Sequence, residues 1–347
     1  MQLILWRRRA LVGLAAAASA ILLASCGGSD SASVPSFGST TVVVGASLSD
    51  TGNTCAFIPA GAGCPPAPPY ATGRFSNGPL WVEAVAARYG AAVNPSQRGG
   101  NNFSFAGART GSVQAALNAA GLTAVTVSTA TGTAPTVPGI AAGVGTTPSQ
   151  IDALLTRFNF QLSPKTLVVI DATTVGNNIS DALTLSQVFP ANAAAIGPAV
   201  LTGAVTDIVG VINRVYAAGA RNILVINVPN VGATPRVTAL GGAAVAGATA
   251  LSQGFNAALA QQITGLRALL SNANIVLFDL YAFEITAKAG TAFTNTTAAC
   301  FVPPVAPATT PTICTTPATF FYWDSFHPTA AAGSLWAQAV IPALPAP

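Results

Sequence analysis

Thr41-Val42-Val43-Val44-Gly45-Ala46-Ser47-Leu48-Ser49-Asp50-Thr51-Gly52-Asn53 is the stretch on which the reading of this chain turns. Its first four residues are all β-branched and suit a short strand. Gly45 then permits a tight turn and close backbone approach. Ser47 follows just past the carboxyl end of that strand, where open α/β sheets place their ligand chemistry. The nucleophile-elbow pattern G-x-S-x-G is absent from the chain, which argues against an α/β-hydrolase fold.

Outward from this stretch, strands and helices alternate. Thr166 to Ile170 and Asn222 to Val228 read as buried strands, and Asn274 to Leu280 as a strand. Helical patterns cover Pro79 to Tyr89, Ser149 to Phe158, Asn192 to Ala217, Gly241 to Leu270 and Ala330 to Ile341. Gly197-Pro198 is expected to break the third of these. Continuous apolar strands between helices predict an α/β fold with a parallel sheet covered on both faces. Leu122 to Pro148 is rich in Thr, Ala and Gly and reads as a long surface loop, a wall or lid over the site or an unimportant insertion. No charged or proline-rich linker divides the chain, so one domain over residues 41–347 is expected.

The first 25 residues read as a leader. Arg7, Arg8 and Arg9 precede an apolar run from Ala10 to Leu22, too short to span a membrane. That run ends in Leu23-Ala24-Ser25-Cys26, which resembles a bacterial lipoprotein signal with Cys26 as the lipidated residue. The resemblance implies an exported chain anchored by lipid in the cell envelope, and the lack of an aspartate after Cys26 points to the outer membrane. Residues 26–40 are rich in Gly and Ser and read as a flexible tether. Without the leader, three of the 14 basic residues are gone and 11 face 10 acidic ones. The near-neutral remainder has no footprint for nucleic acid.

Of five cysteines, Cys26 is assigned to the leader, and Cys55, Cys64, Cys300 and Cys314 remain. An even number in an exported chain predicts two disulfides, with three pairings open. Local closure favours Cys55–Cys64 and Cys300–Cys314. A metal site is the weaker reading, because there is no C-x-x-C pair.

His327 is the only histidine, in Trp323-Asp324-Ser325-Phe326-His327-Pro328. Pro328 keeps it out of the helical region, and Asp324 can fix its tautomer. It is thus the one imidazole available for proton transfer near neutral pH. The rival reading is a buried histidine that merely satisfies Asp324.

Four segments in order now resemble one family. Gly45 to Asn53 resembles the first block of the GDSL, or SGNH, lipases and esterases. Gly73 to Glu83 resembles a run in the secreted lipase-like branch, and Asn102 to Arg109 resembles the second block. Asp324 to Pro328 resembles the last block. Val175-Gly176-Asn177-Asn178-Ile179 stands, less faithfully, for the third. The resemblance implies a three-layer α/β/α sandwich with a central parallel sheet and no metal or cofactor. It implies Ser47 as nucleophile, His327 as base and Asp324 as its orienting carboxylate. It implies an oxyanion hole from the Ser47 N–H, the Gly107 N–H and the Asn177 side chain, with Asn178 the fallback.

Two departures stand out. Ala46 replaces the aspartate for which the family is named, which is expected to loosen the turn presenting Ser47, and Asn178 replaces another. The implied reaction is hydrolysis of fatty-acyl esters through an acyl-Ser47 intermediate by a monomer. Carbohydrate deacetylation, acyl transfer to another alcohol and a decayed, purely binding lipoprotein remain as rivals. Arg74 and Glu83 are expected to pair and hold their loop to its helix, and Asp50 and Asn53 to order the turn.

Overall fold

The computed structural model describes residues 40–58, 64–127, 137–143, 146–304 and 310–346. The leader, the Cys26 site and nearly all of the tether therefore lie outside the described residues. The strands β1 (Thr41–Val44), β2 (Leu167–Asp171), β3 (Asn222–Ile226) and β4 (Asn274–Phe278) form one sheet in the order β1-β2-β3-β4. All three pairings are parallel, with Val44 opposite Ile170 and Asp171 opposite Ile226 at the carboxyl edge.

Alternation along these strands builds two apolar layers, because successive side chains leave opposite faces. On one face Val42, Val44, Val168, Ile170, Ile223 and Val225 pack against helices α4 (Gln150–Arg157), α5 (Val175–Val188), α6 (Ala193–Ala217) and α8 (Gly242–Leu269). On the other, Val43, Leu167, Val169, Leu224 and Ile226 meet α2 (Trp81–Arg88), α9 (Leu280–Ala289) and α10 (Ala330–Val340). The result is the expected α/β/α arrangement around a parallel sheet. Trp81 of α2 and Trp336 of α10 stack with ring centroids 4.2 Å apart, so the first long helix and the last are locked together. The described residues also form the short helices α1 (Asn53–Phe57), α3 (Val113–Ala119) and α7 (Pro235–Thr238).

Gly197-Pro198 does not break α6, which runs through it. A proline there forfeits one backbone hydrogen bond. Gly197 lies where a Cβ would stand 2.8 Å from Leu251 Cδ2, so the glycine admits close packing of α8. Residues 190–217 are long and apolar enough to cross a membrane by length and composition alone. Their Ile196, Val200, Ile208, Val211 and Val215 are nevertheless buried in the protein.

Three features were not anticipated. The apolar run of β4 ends at Phe278, and Asp279 caps α9 by accepting the Ala282 N–H at 3.1 Å. β5 (Asn295–Ala299) pairs with β8 (Phe320–Tyr322), and β6 (Phe301–Val302) pairs with β7 (Thr312–Ile313), outside the main sheet. The segment read as a surface loop contributes to the interior: Val125, Val137 and Ile140 are buried. Ile140 and Ala141 donate to Arg109 O and Thr110 O, which tie that segment down beside the site.

Both cysteine pairs close locally, Cys55 with Cys64 and Cys300 with Cys314.

Candidate active site

β1 delivers Ser47 to the carboxyl edge of the sheet through a turn held from three sides. Gln150, buried at the start of α4, accepts the Gly45 N–H at 2.8 Å through Oε1. Its Nε2 donates to Gly45 O and to Pro138 O, both at 2.9 Å. The same turn rests on Asp171 at the end of β2, whose Oδ2 accepts the Ser49 hydroxyl at 2.6 Å. A Cβ on Gly45 would stand 2.7 Å from the Asp171 Cβ, so only glycine allows this approach.

Asp50 provides the third hold. Its carboxylate accepts the N–H groups of Gly52, Asn53 and Thr54, the Thr54 hydroxyl, and the N–H of Ala106. The last bond reaches across to the segment carrying Gly107. Asn53 adds two donations, to Asn102 O at 2.7 Å and Ser104 O at 2.9 Å. Asp50 and Asn53 thus order the turn, as expected. Burial pushes the Asp50 and Asp171 carboxyls above their ordinary range, against the pull of these hydrogen bonds.

Ala46 points into a small apolar cluster with Phe105, Ala108 and Val137. Its replacement of aspartate does not leave the turn loose, because Gln150 grips Gly45 at both backbone atoms. The turn stability expected to be lost at position 46 is supplied from a residue 105 positions away.

The other half of the site comes from the segment after β8. His327 Nε2 lies 2.9 Å from Ser47 Oγ, although 280 residues separate them. On its far side, His327 Nδ1 lies 2.8 Å from Asp324 Oδ2 and 2.9 Å from Oδ1. Asp324 also accepts the backbone N–H groups of Phe326 and His327 at 2.8 and 2.7 Å. Burial alone would raise the Asp324 carboxyl. The charge and hydrogen bonds of His327, with those two N–H groups, bring it instead to about 2. A carboxylate ionised at neutral pH holds the Nδ1 proton, which leaves Nε2 as the acceptor for the Ser47 hydroxyl.

Tyr70 was missed by the sequence reading. Its hydroxyl donates to Asp324 Oδ2 at 2.7 Å. Burial and the charge of Asp324 raise that hydroxyl's pKa, so it remains a donor. Its ring is edge-on to both Phe301 and Trp323, at 5.2 and 5.9 Å. Phe75 lies against the imidazole, with centroids 5.2 Å apart. The run of prolines before Tyr70 signals a stiff segment, but nothing local to it signals a partner 254 residues away.

Gly107 adopts a φ of +78°, a conformation that favours glycine. No acceptor among the described residues takes the N–H of Ser47 or of Gly107. Asn177, in the first turn of α5, donates one Nδ2 hydrogen to Ala108 O at 2.7 Å, which leaves the second free of that bond. Asn178 is engaged elsewhere: Oδ1 accepts the Thr110 N–H and Nδ2 donates to Thr110 Oγ1, each at 3.2 Å. Each amide thus keeps one Nδ2 hydrogen, and burial separates the two: Asn178 is buried, whereas Asn177 is partly exposed.

Around the site, Arg74 pairs with both carboxylate oxygens of Glu83, which also caps α2 at the Leu80 N–H. Asp181 is taken by Arg109 and Asp207 by Thr110. Among the described residues, no three or more His, Cys, Asp or Glu side chains converge as a metal site would require.

A hydroxyl, an imidazole and a carboxylate in one hydrogen-bonded line, beside unpaired N–H groups, can activate an oxygen nucleophile and hold an oxyanion. A family model described as GDSL-like lipase/acylhydrolase matches residues 42–340. No curated protein matches the chain.

Proposed function

The chain belongs to the GDSL-like lipase/acylhydrolase family, and from that premise we propose that it is a serine esterase that cleaves carboxylic esters through an acyl-Ser47 intermediate. The observation that carries this reading is the line Ser47–His327–Asp324, joined at 2.9 and 2.8 Å. In the proposed reaction Ser47 Oγ attacks the ester carbonyl while its proton moves to His327 Nε2. The N–H groups of Ser47 and Gly107 and the Asn177 amide receive the charge on the carbonyl oxygen. Each such donor is worth about 10²–10³ in turnover. Collapse expels the alcohol, which takes the proton from Nε2. Water then attacks the acyl group by the same route and restores the enzyme. Asp324 stabilises the imidazolium at both steps.

The acyl groups proposed are fatty. The aromatic rings of Phe75 and Phe326 beside His327 support apolar substrates. We further infer a leader over residues 1–25, a tether over 26–40 and one hydrolase domain over 41–347, with lipid on Cys26 holding a monomer to the outer membrane. The two disulfides support passage through an oxidising compartment. Recovery of the mature chain in the soluble fraction of fractionated cells would exclude the anchor.

The function is tested with nitrophenyl esters from acetyl to palmitoyl. Ser47→Ala and His327→Ala should each lower kcat by about 10⁴-fold or more, with the fold retained. A folded wild type that turns over none of these esters would leave a binding protein as the reading.

A further inference from the structure

We propose that the groove beside His327 holds the alcohol part of the ester and selects uncharged, apolar alcohols. This rests on the serine-esterase reading above and adds the substrate class on its leaving-group side.

The chemistry fixes the side. When the tetrahedral intermediate collapses, the bond from carbon to the alcohol oxygen breaks and its electron pair stays on that oxygen. The proton from His327 Nε2 then neutralises it. The departing oxygen must therefore sit within hydrogen-bond reach of Nε2, and the rest of the alcohol must continue outward from the imidazole. The carbonyl oxygen points the other way, towards Gly107 and Asn177. A groove of about 570 Å³ begins at His327 and Asp324. One wall carries Pro66 and Tyr70, the other Phe301, Pro304 and Pro311, and Phe75 closes it against the imidazole.

The lining explains the selection. Among the described residues lining the groove, Asp324 is the only carboxylate, and its oxygens are already occupied by His327 and Tyr70. Neither wall segment brings a charge. No charged residue lies between Asp50 and Arg74, or between Lys288 and Asp324, in the whole sequence. Nearby Arg74 is spent on Glu83 and Thr72 O. A phosphate or carboxylate on the alcohol would lose its water and gain no cation, which is costly. An alkyl or aryl group would instead cover proline and aromatic faces at roughly 25 cal/mol per Å² buried.

The walls are also stiff. Proline fixes its own φ, which lowers the entropy lost when a ligand orders them. A disulfide adjoins each wall, Cys55–Cys64 just before Pro65 and Cys300–Cys314 flanking Phe301, Pro304 and Pro311. The second wall is hydrogen-bonded to the catalytic segment itself, Phe301 N–H to Trp323 O at 2.6 Å.

The test keeps the acyl group constant as butyrate and varies the alcohol among methyl, hexyl, 2-phenylethyl and a phosphate-bearing alkyl alcohol. The three neutral alcohols have similar acidity, so their differences report binding. The ratio of kcat/KM for hexyl over methyl should be about 10 or more, from the area buried, and the phosphate-bearing ester should do no better than methyl. Pro304→Lys, at an exposed groove position, should reduce the hexyl-to-methyl ratio and favour the phosphate-bearing ester. A wild-type ratio near one, with turnover that still depends on Ser47, would overturn the groove's role and leave the esterase reading standing. A Pro304→Lys protein changed in acyl-length preference but not in alcohol preference would reassign the groove to the acyl chain and equally overturn it. Turnover of no ester by a folded wild type would remove both. The wild-type series decides without the variant if that protein fails to fold.

Discussion

Ser47 and His327 meet at 2.9 Å but are held by opposite means. The nucleophile stands at the end of a buried parallel strand, in a bed of buried polar groups. Asp50, Asn53, Asn102, Gln150 and Asp171 are all essentially without solvent exposure, and each is hydrogen-bonded. The base stands outside the sheet, on a segment whose one charged neighbour is Asp324, against a disulfide-closed loop and aromatic contacts. A buried polar network is costly to interrupt, because every orphaned group forfeits its water as well. A stapled loop with an accessible face tolerates exchange of its lining. The contrast teaches that the nucleophile half is built for one geometry and the base half for a choice of substrate.

That contrast has measurable consequences. The largest stability loss should follow Gln150→Leu, which orphans the Gly45 N–H and Pro138 O, while Gly45 O keeps the Phe105 N–H. About 2–6 kcal/mol is expected, from one to three for each of the two unsatisfied buried groups. Chemical denaturation would show it as a lower midpoint, accompanied by a fall in kcat. A midpoint equal to that of the wild type would mean that the turn is held by something other than Gln150.

Ala46→Asp should come next, at about 1–3 kcal/mol near pH 8. It would restore the aspartate of the family motif but place it among Phe105, Ala108 and Val137. Such a carboxyl would have a folded pKa above its unfolded value near 4. Its penalty is therefore absent below about pH 4 and grows as pH rises through the folded value. Denaturation midpoints at pH 5 and pH 8 would expose this, with the variant closer to wild type at pH 5. A pH-independent difference, or a gain in stability at pH 8, would contradict the buried-carboxylate account.

The smallest effect belongs to the base half. Tyr70→Phe removes one donor from Asp324 Oδ2. Three protein N–H groups still hold that carboxylate, from the His327 ring and the backbone of Phe326 and His327. A fall in kcat of about 3–10-fold is expected, with stability changed by no more than about 1 kcal/mol, the worth of one partly exposed hydrogen bond. Steady-state kinetics beside a denaturation curve would settle it. A stability loss as large as that of Gln150→Leu would erase the distinction between the halves.

What the sequence made legible was local in origin. The β-branched run at residues 41–44 and the apolar stretch at 222–226 became strands because alternation and burial act within a few residues. Both disulfides followed the rule of local closure. The His327-Pro328 pair read correctly as non-helical, with α10 starting two residues later. What stayed hidden was contact between distant segments. Gln150 looks like any polar residue at a helix start, and Tyr70 like any aromatic after prolines. Their roles exist only once residues 105 and 254 positions away arrive. Pro198 misled for the same reason, since packing of Leu251 against Gly197 outweighs one missing backbone bond. α9 was hidden because its apolar residues continue the run of β4, although Asp279 marks the boundary in retrospect.

The stack of Trp81 on Trp336 bears on the order in which a ribosome makes this protein. Ser47 emerges 280 residues before His327, and α10 follows later still. Until Trp336 finds Trp81, the nascent chain carries a nucleophile with no base to activate it. Contacts that span nearly the whole sequence also form slowly. On the proposed esterase reading, a chain interrupted before residue 327 would be inert, and so would one whose α10 has not yet docked. In that reading the docking of Trp336 on Trp81 is also the step that arms the nucleophile.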